Sequence, residues 1–133
     1  MAKKYETFIA EAKIKLGGTS TPSNVDQFFD ELTSVTKQHP FNNKARILGN
    51  TAVELYYANG SVHLSDIQSF NIGSGAGTEA MEYLVSLADK HRVTLDLFAV
   101  GYASVPTKKL IAWYKKFGFV VDDGKDYMVR KPK

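Results

Sequence analysis

The sequence predicts a mixed α/β fold of the α+β kind, with two N-terminal helices ahead of a sheet-forming part. Three observations predict it. The first 40 residues carry apolar side chains at helical spacing. Residues 45–70 alternate with the period of strands around an Asn59-Gly60 pair. From Gly73 onward a glycine-rich loop, a helical stripe, an apolar strand and a second helical stripe follow in order. At 133 residues one domain is expected over 1–133, with a helical part at 1–40 and a sheet-bearing core at 45–133.

Each element has its own signal. Tyr5, Phe8, Ile9 and Ala12 stand at i, i+3, i+4 and i+7, one apolar helix face. Gly17-Gly18 and Thr19-Ser20-Thr21-Pro22 break that helix. In the second helix Asn24 is the expected N-cap, with Gln27 as its capping-box partner. Val25, Phe28, Phe29, Leu32 and Val35 form its apolar face, and Gln38-His39-Pro40 ends it. Residues 45–48 form a short strand. Residues 51–58 form a better one, with Val53, Leu55 and Tyr57 set against Glu54 and Tyr56. Asn59-Gly60 turns the chain, and residues 61–70 run back with Val62, Leu64 and Ile67 as apolar members.

The loop 72–77 leads into a helix expected from Thr78 to about His91, with Ala80, Met81, Leu84, Val85 and Ala88 buried. Residues 93–100 are apolar at most positions, as in a strand buried on both faces. Pro106-Thr107 opens the last helix, with Leu110, Ile111, Tyr114 and Phe117 on one side, and Gly118 stops it. Residues 119–121 and 127–129 pair as a closing hairpin. The strand–loop–helix–strand unit implies a parallel crossover, with function where the loop meets the sheet.

Composition bounds the chemistry. Hydrophobic residues are 44% and charged residues 23%, an ordinary globular balance. No apolar run approaches the roughly 20 residues of a membrane span, and no signal-peptide core follows the start. The expectation is a cytoplasmic protein without a membrane partner. With no cysteine, disulfides, a thiolate nucleophile and Cys-type zinc sites are excluded. His39, His63 and His91 lie far apart, so no metal site is expected. The net charge of +3 suits an anionic partner. A nucleic-acid binder would carry a longer basic stripe with interleaved aromatics, so a phosphate-rich ligand fits better.

Glycines at 73, 75 and 77 let the backbone turn tightly and expose consecutive N–H groups at a helix N-terminus, a pyrophosphate cradle. A Walker loop is excluded because Gly77 is followed by Thr78-Glu79, with no lysine. The dinucleotide fingerprint fails because the third glycine comes one residue early and too little chain remains for that fold. Gly73-Ser74-Gly75 is not a hydrolase elbow.

Residues 71–119 resemble the GNAT superfamily of N-acetyltransferases, in particular its short phage and bacterial members. The family's loop runs Arg/Gln-x-x-Gly-x-Gly/Ala, matched here at Gly75 and Gly77. Its second signature, Tyr-x-x-x-Gly-Phe, stands at Tyr114, Gly118 and Phe119. Two departures are visible: the family's Arg/Gln is Ile72, and its frequent Asn at the start of the later helix is Thr107.

The resemblance implies acetyl transfer from acetyl-CoA, as co-substrate, to an amine by direct attack. It places the cofactor at Ile72, Gly73, Ser74, Gly75, Ala76, Gly77 and Thr78. Pantetheine would enter where the strands at 61–70 and 93–100 splay, pair with backbone near Ile67 and reach Thr107. A backbone N–H of the earlier strand would stabilise the oxyanion. Tyr114 is the expected proton donor to the leaving thiolate, and it borders the cofactor. Asp66 and His63 are the candidate general bases. Strand alternation would send them to opposite faces. Glu54 is a third candidate, and Lys108 and Lys109 are candidates for the 3′-phosphate. Two rival readings are a catalytically degenerate member that binds CoA or a partner protein, and a nucleic-acid binder. Many relatives are dimers, so a homodimer is an expectation. The sequence does not name the amine acceptor.

Overall fold

The computed structural model describes residues 21–70, 75–101, 105–122, 124 and 126–133. The expected helix around Tyr5–Ala12 and the loop residues Ile72, Gly73 and Ser74 lie outside the described residues.

Helix α1 spans Ser23–Val35 and buries Val25, Phe28, Phe29 and Leu32. Val35, expected on that face, is 51% exposed. The expected capping box is absent. Pro22 holds the N-cap position, and the Asn24 amide donates instead to the carbonyls of His91 and Arg92. Asn24 therefore ties α1 to the end of the next helix. At the other end of α1, Arg46 donates to the carbonyls of Thr33 and Thr36, satisfying acceptors that a helix C-terminus leaves open.

Seven strands follow in one mixed sheet: β1 (Lys37–Gln38), β2 (Arg46–Leu48), β3 (Thr51–Ala58), β4 (Ser61–Ser69), β5 (Leu95–Phe98), β6 (Val120–Val121) and β7 (Tyr127–Arg130). Their order is β1-β2-β3-β4-β5-β7-β6. The β4–β5 pair is parallel and is bridged by helix α2 (Ala76–Lys90); every other pair is antiparallel. The chain ended by Gln38-His39-Pro40 in the sequence pattern includes an edge strand, β1, that no alternation announces in two residues.

Asn59 and Gly60 both take positive φ, 53° and 85°, which is the hairpin geometry that selects this dipeptide. Helix α3 (Thr107–Lys115) precedes Gly118, whose φ of 96° stops it.

One sheet face carries the core. Val53, Val62, Leu64, Leu95, Leu97 and Met128 pack there against α1 and α2 residues. Within the described helices no segment is long and apolar enough to cross a membrane.

Arg130 anchors the closing strand. It is 4% exposed, donates twice to Asp89 of α2 at 2.8 and 2.9 Å, and donates to the Phe117 carbonyl at 2.6 Å. Arg130→Ala leaves Asp89 and a carbonyl without that donor, and should cost about 3 kcal/mol in chemical denaturation. The Arg130 guanidinium holds the Asp89 carboxyl below the usual carboxylate range, against a smaller upward push from burial. A depressed folded value gives stability that is present above about pH 4 and lost as pH falls through the folded value. Melting temperature should therefore drop steeply below about pH 4, and less steeply in Arg130→Ala.

Candidate active site

The site begins where β4 and β5 part. They pair at Val62↔Leu95 and His63↔Asp96 and then stop, although both strands run on. Beyond that point, among the described residues, β4 pairs only with β3, and β5 only with β7. The edge of β4 around Ile67 thus has no β5 ladder.

A β-bulge lies just beyond this point. The β3–β4 register shifts between Glu54 and Leu55, so that Glu54 faces Asp66 while Leu55 faces Leu64. Ser65 is the extra residue, and its hydroxyl donates to the Glu54 carbonyl at 3.1 Å. The bulge corrects the expectation that alternation separates His63 from Asp66. One inserted residue restores the phase, and both fall on the sheet face opposite the core, with Glu54 and Tyr56.

On that face three polar groups join. His63 Nδ1 lies 2.7 Å from one carboxylate oxygen of Asp96, and the Tyr127 hydroxyl donates to the other at 2.5 Å. The side chains of His63 and Asp96 are 15% and 10% exposed. A carboxylate in its ionised form only accepts, so the contact favours a proton on Nδ1, and the tautomer with that proton leaves Nε2 its lone pair. That is the arrangement of a base and its orienting carboxylate. The carboxylate also acts on Tyr127. Its hydrogen bond to Asp96 and burial push the phenol up to about 12. The raised value stabilises the fold below about pH 10, and this contribution is lost as pH rises towards 12. An absorbance titration should show a tyrosine titrating at about 12 that Tyr127→Phe removes and Asp96→Asn shifts back towards about 10.

The described end of the loop has the expected backbone. Gly75 is the N-cap of α2 at φ 85°, in the left-handed region, and has no side chain with which to cap the helix. The helix starts at Ala76, two residues earlier than the periodicity predicts, so Gly77 and Thr78 belong to its first turn. Amides there have no intrahelical acceptor. A Cβ on Gly77 would stand 4.0 Å from Ser69 and from Trp113, so the end of β4, the first turn of α2 and helix α3 meet at this glycine.

From Thr78 a cleft of about 470 Å³ runs between α2 and α3, lined by Glu82, Val85, Trp113, Lys116, Phe117, Gly118 and Lys133. The lysines on it are Lys116 and Lys133; Lys108 and Lys109 do not line it. Thr107 is bound up in its own loop, where its hydroxyl accepts from the Gly101 N–H at 2.9 Å. Gly101 is required there: a Cβ would press into the Thr107 backbone and sit 2.7 Å from the Val105 carbonyl.

Tyr114 is 7% exposed and belongs to the core cluster, edge-on to Trp113 at 5.1 Å and to Phe119 at 5.8 Å. The structure thus gathers His63, Asp66 and Glu54 on one face and keeps Tyr114 with the core. Strand β5 also departs from expectation. It is not buried on both faces, since Phe98 and the following Val100 are 56% and 59% exposed.

No protein-family model and no curated protein matches the chain. Among solved structures, the crystal structure of the anti-CRISPR protein AcrVA5 matches with a TM-score of 0.54 and 16% identity, over 62% of this chain and 90% of that one. The chain shares that protein's fold.

Asp96 and Tyr127 are the site residues that sequence reasoning missed. Asp96 had a signal: it is an acid inside an otherwise apolar strand, and a buried acid needs partners. Tyr127 had none, because its partner lies 31 residues away and alternation alone cannot say which strand it pairs with.

Proposed function

We propose that this chain is an N-acetyltransferase of the GNAT kind, which moves the acetyl group of acetyl-CoA to a primary amine by direct attack. The observation that carries this reading is the coincidence of two features at one point. The β4–β5 ladder ends directly beyond His63 and Asp96, and in that same pair His63 turns Nδ1 to a carboxylate, which favours the tautomer with its lone pair on Nε2.

Acetyl-CoA supplies an activated thioester. The amine nitrogen bonds to its carbonyl carbon, the carbon–sulfur bond breaks, and CoA leaves as the thiol. The residues present fit such a ligand. The left-handed Gly75 and the N-terminus of α2 suit a pyrophosphate. Trp113, Lys116 and Lys133 line a cleft that continues from Thr78, suited to a flat base and further phosphate. The unladdered edge of β4 near Ile67 suits strand-like pairing with the pantetheine arm.

His63 takes a proton from the amine at Nε2. Asp96, held by Tyr127, positions the ring and favours the imidazolium that forms. Of the three candidate bases, His63 alone has an orienting side-chain partner among the described residues, so Asp66 and Glu54 are assigned no proton transfer. Tyr114 is the donor to the departing sulfur, and its ring adjoins Trp113, which reaches the first turn of α2.

Calorimetric titration with acetyl-CoA tests the reading. Micromolar binding, lost in Gly75→Glu, supports it. No heat at millimolar ligand removes it and leaves a partner-binding module of the same fold.

A further inference from the structure

The cleft between α2 and α3 is held from behind by one ion pair. Thr78, Glu82 and Val85 form its α2 wall, and their spacing puts them on one stripe of the helix. Asp89 is the next member of that stripe, beyond the cleft lining. There its carboxylate receives two N–H bonds from Arg130, at 2.8 and 2.9 Å.

Arg130 also reaches the opposite wall. Its Nε donates at 2.6 Å to the carbonyl of Phe117, which lines the cleft just after α3. Lys133, a further lining residue, is tied to the same Asp89 carboxylate by its backbone N–H at 3.0 Å. Gly118 completes the junction. A Cβ there would stand 3.1 Å from Arg130 Nε and 3.3 Å from Lys133 Nζ, so only a residue without one lets both side chains close on the end of α3. All the walls therefore meet at one guanidinium–carboxylate pair. At the other end α2 meets α3 at Gly77, where a Cβ would lie 4.0 Å from the Trp113 ring. Van der Waals contact of that kind sets no angle, whereas a two-pronged guanidinium–carboxylate contact fixes distance and orientation together. The Arg130 end thus sets how far apart the walls stand.

We infer that Arg130 and Asp89 are positioning residues for the ligand of this cleft: the pair fixes the separation of α2 and α3, and with it the affinity for the ligand between them. Neither residue lines the cleft, and both act through the walls they join. The ligand class, the adenine nucleotide end of acetyl-CoA, rests on the acetyltransferase reading; the hold on the cleft does not. A displaced wall loses stacking on Trp113 and the reach of Lys116 and Lys133 at the same time.

The test pairs acetyl-CoA kinetics and calorimetry with quenching of Trp113, the single tryptophan of the chain, by iodide and acrylamide. Arg130→Lys keeps the charge but not the planar fork that spans two partners, and Asp89→Asn keeps the shape without the charge. Asn24→Ala is the structural control, because it removes the donor to the His91 and Arg92 carbonyls at the same end of α2 and lies outside the cleft. Arg130→Lys and Asp89→Asn should each raise KM and the calorimetric Kd for acetyl-CoA about tenfold, leave kcat at saturation unchanged and increase quenching. Asn24→Ala should lower the melting temperature and alter none of these. A lower melting temperature in Arg130→Lys and Asp89→Asn with KM and quenching unchanged would overturn the inference and leave the pair an anchor of the fold alone. Increased quenching with unchanged KM would overturn it too, because the cleft would then open without loss to the ligand. If acetyl-CoA does not bind the wild type, the transferase reading falls and quenching decides the rest: a rise in both variants keeps the hold on the cleft, and no rise removes it.

Discussion

Replacing His63 by glutamine is expected to lower kcat/KM for acetyl transfer roughly 10³-fold, about 4 kcal/mol of barrier, with acetyl-CoA affinity unchanged. Glutamine keeps a polar side chain against Asp96 but has no basic nitrogen to take the amine proton. The loss should appear in kcat rather than in cofactor binding, because the Gly75 turn and the α2 N-terminus do not involve His63. Asp96→Asn should cost less, about 10²-fold. An amide can donate as well as accept, so it no longer forces the proton onto Nδ1. Tyr127→Phe removes one hydrogen bond to Asp96 and leaves His63 its partner, so it should cost least. That order of loss distinguishes a base with its positioning residues from a buried polar cluster kept for stability. A stability cluster would shift melting temperature in all three variants and leave kcat in proportion to folded protein. Unchanged kcat in His63→Gln would exclude His63 as the base.

Gly75→Glu is expected to reduce acetyl-CoA affinity at least 100-fold while the protein remains folded. Two effects act in opposite directions on the fold. A non-glycine residue at φ 85° costs roughly 1–2 kcal/mol. A carboxylate at a helix N-terminus returns up to about 1 kcal/mol. The first side-chain carbon adds no clash, since no atom outside its chain neighbours lies within 4 Å of a Cβ built there. The glutamate would occupy the approach to the first-turn amides of α2 and repel a pyrophosphate. Gly75→Ala is the control: it carries the same backbone strain without the charge and should lose affinity only modestly. Equal losses in both variants would mean that backbone conformation alone matters and that no phosphate sits at this turn.

How far the site was legible depended on distance along the chain. The hairpin at Asn59-Gly60 was readable because only glycine and asparagine tolerate that geometry, and both positive φ values are present. The parallel β4–α2–β5 unit was readable from period and order. The capping of α1 differs from the expected box because Asn24 has two chemically reasonable uses. Docking against the end of α2, 67 residues away, prevailed over the local cap.

The bulge at Ser65 leaves a trace in the spacing of apolar residues. Val53, Leu55 and Tyr57 are spaced two apart, whereas Val62, Leu64 and Ile67 are spaced two and then three. A strand that keeps one apolar face over that interval must insert a residue.

By itself the sequence determined the class of fold, the turn residues, the glycine at the α2 N-terminus and the absence of thiol chemistry, because backbone conformation and residue chemistry are local properties. Only the tertiary structure decided which groups act together. His63 meets Asp96 across 33 residues and Tyr127 meets the same carboxylate across 31, through the register of three neighbouring strands. Register is fixed by burying the Val62, Leu95 and Met128 face against the helices. The polar cluster on the opposite face is aligned by that packing, which is why no local pattern announces it.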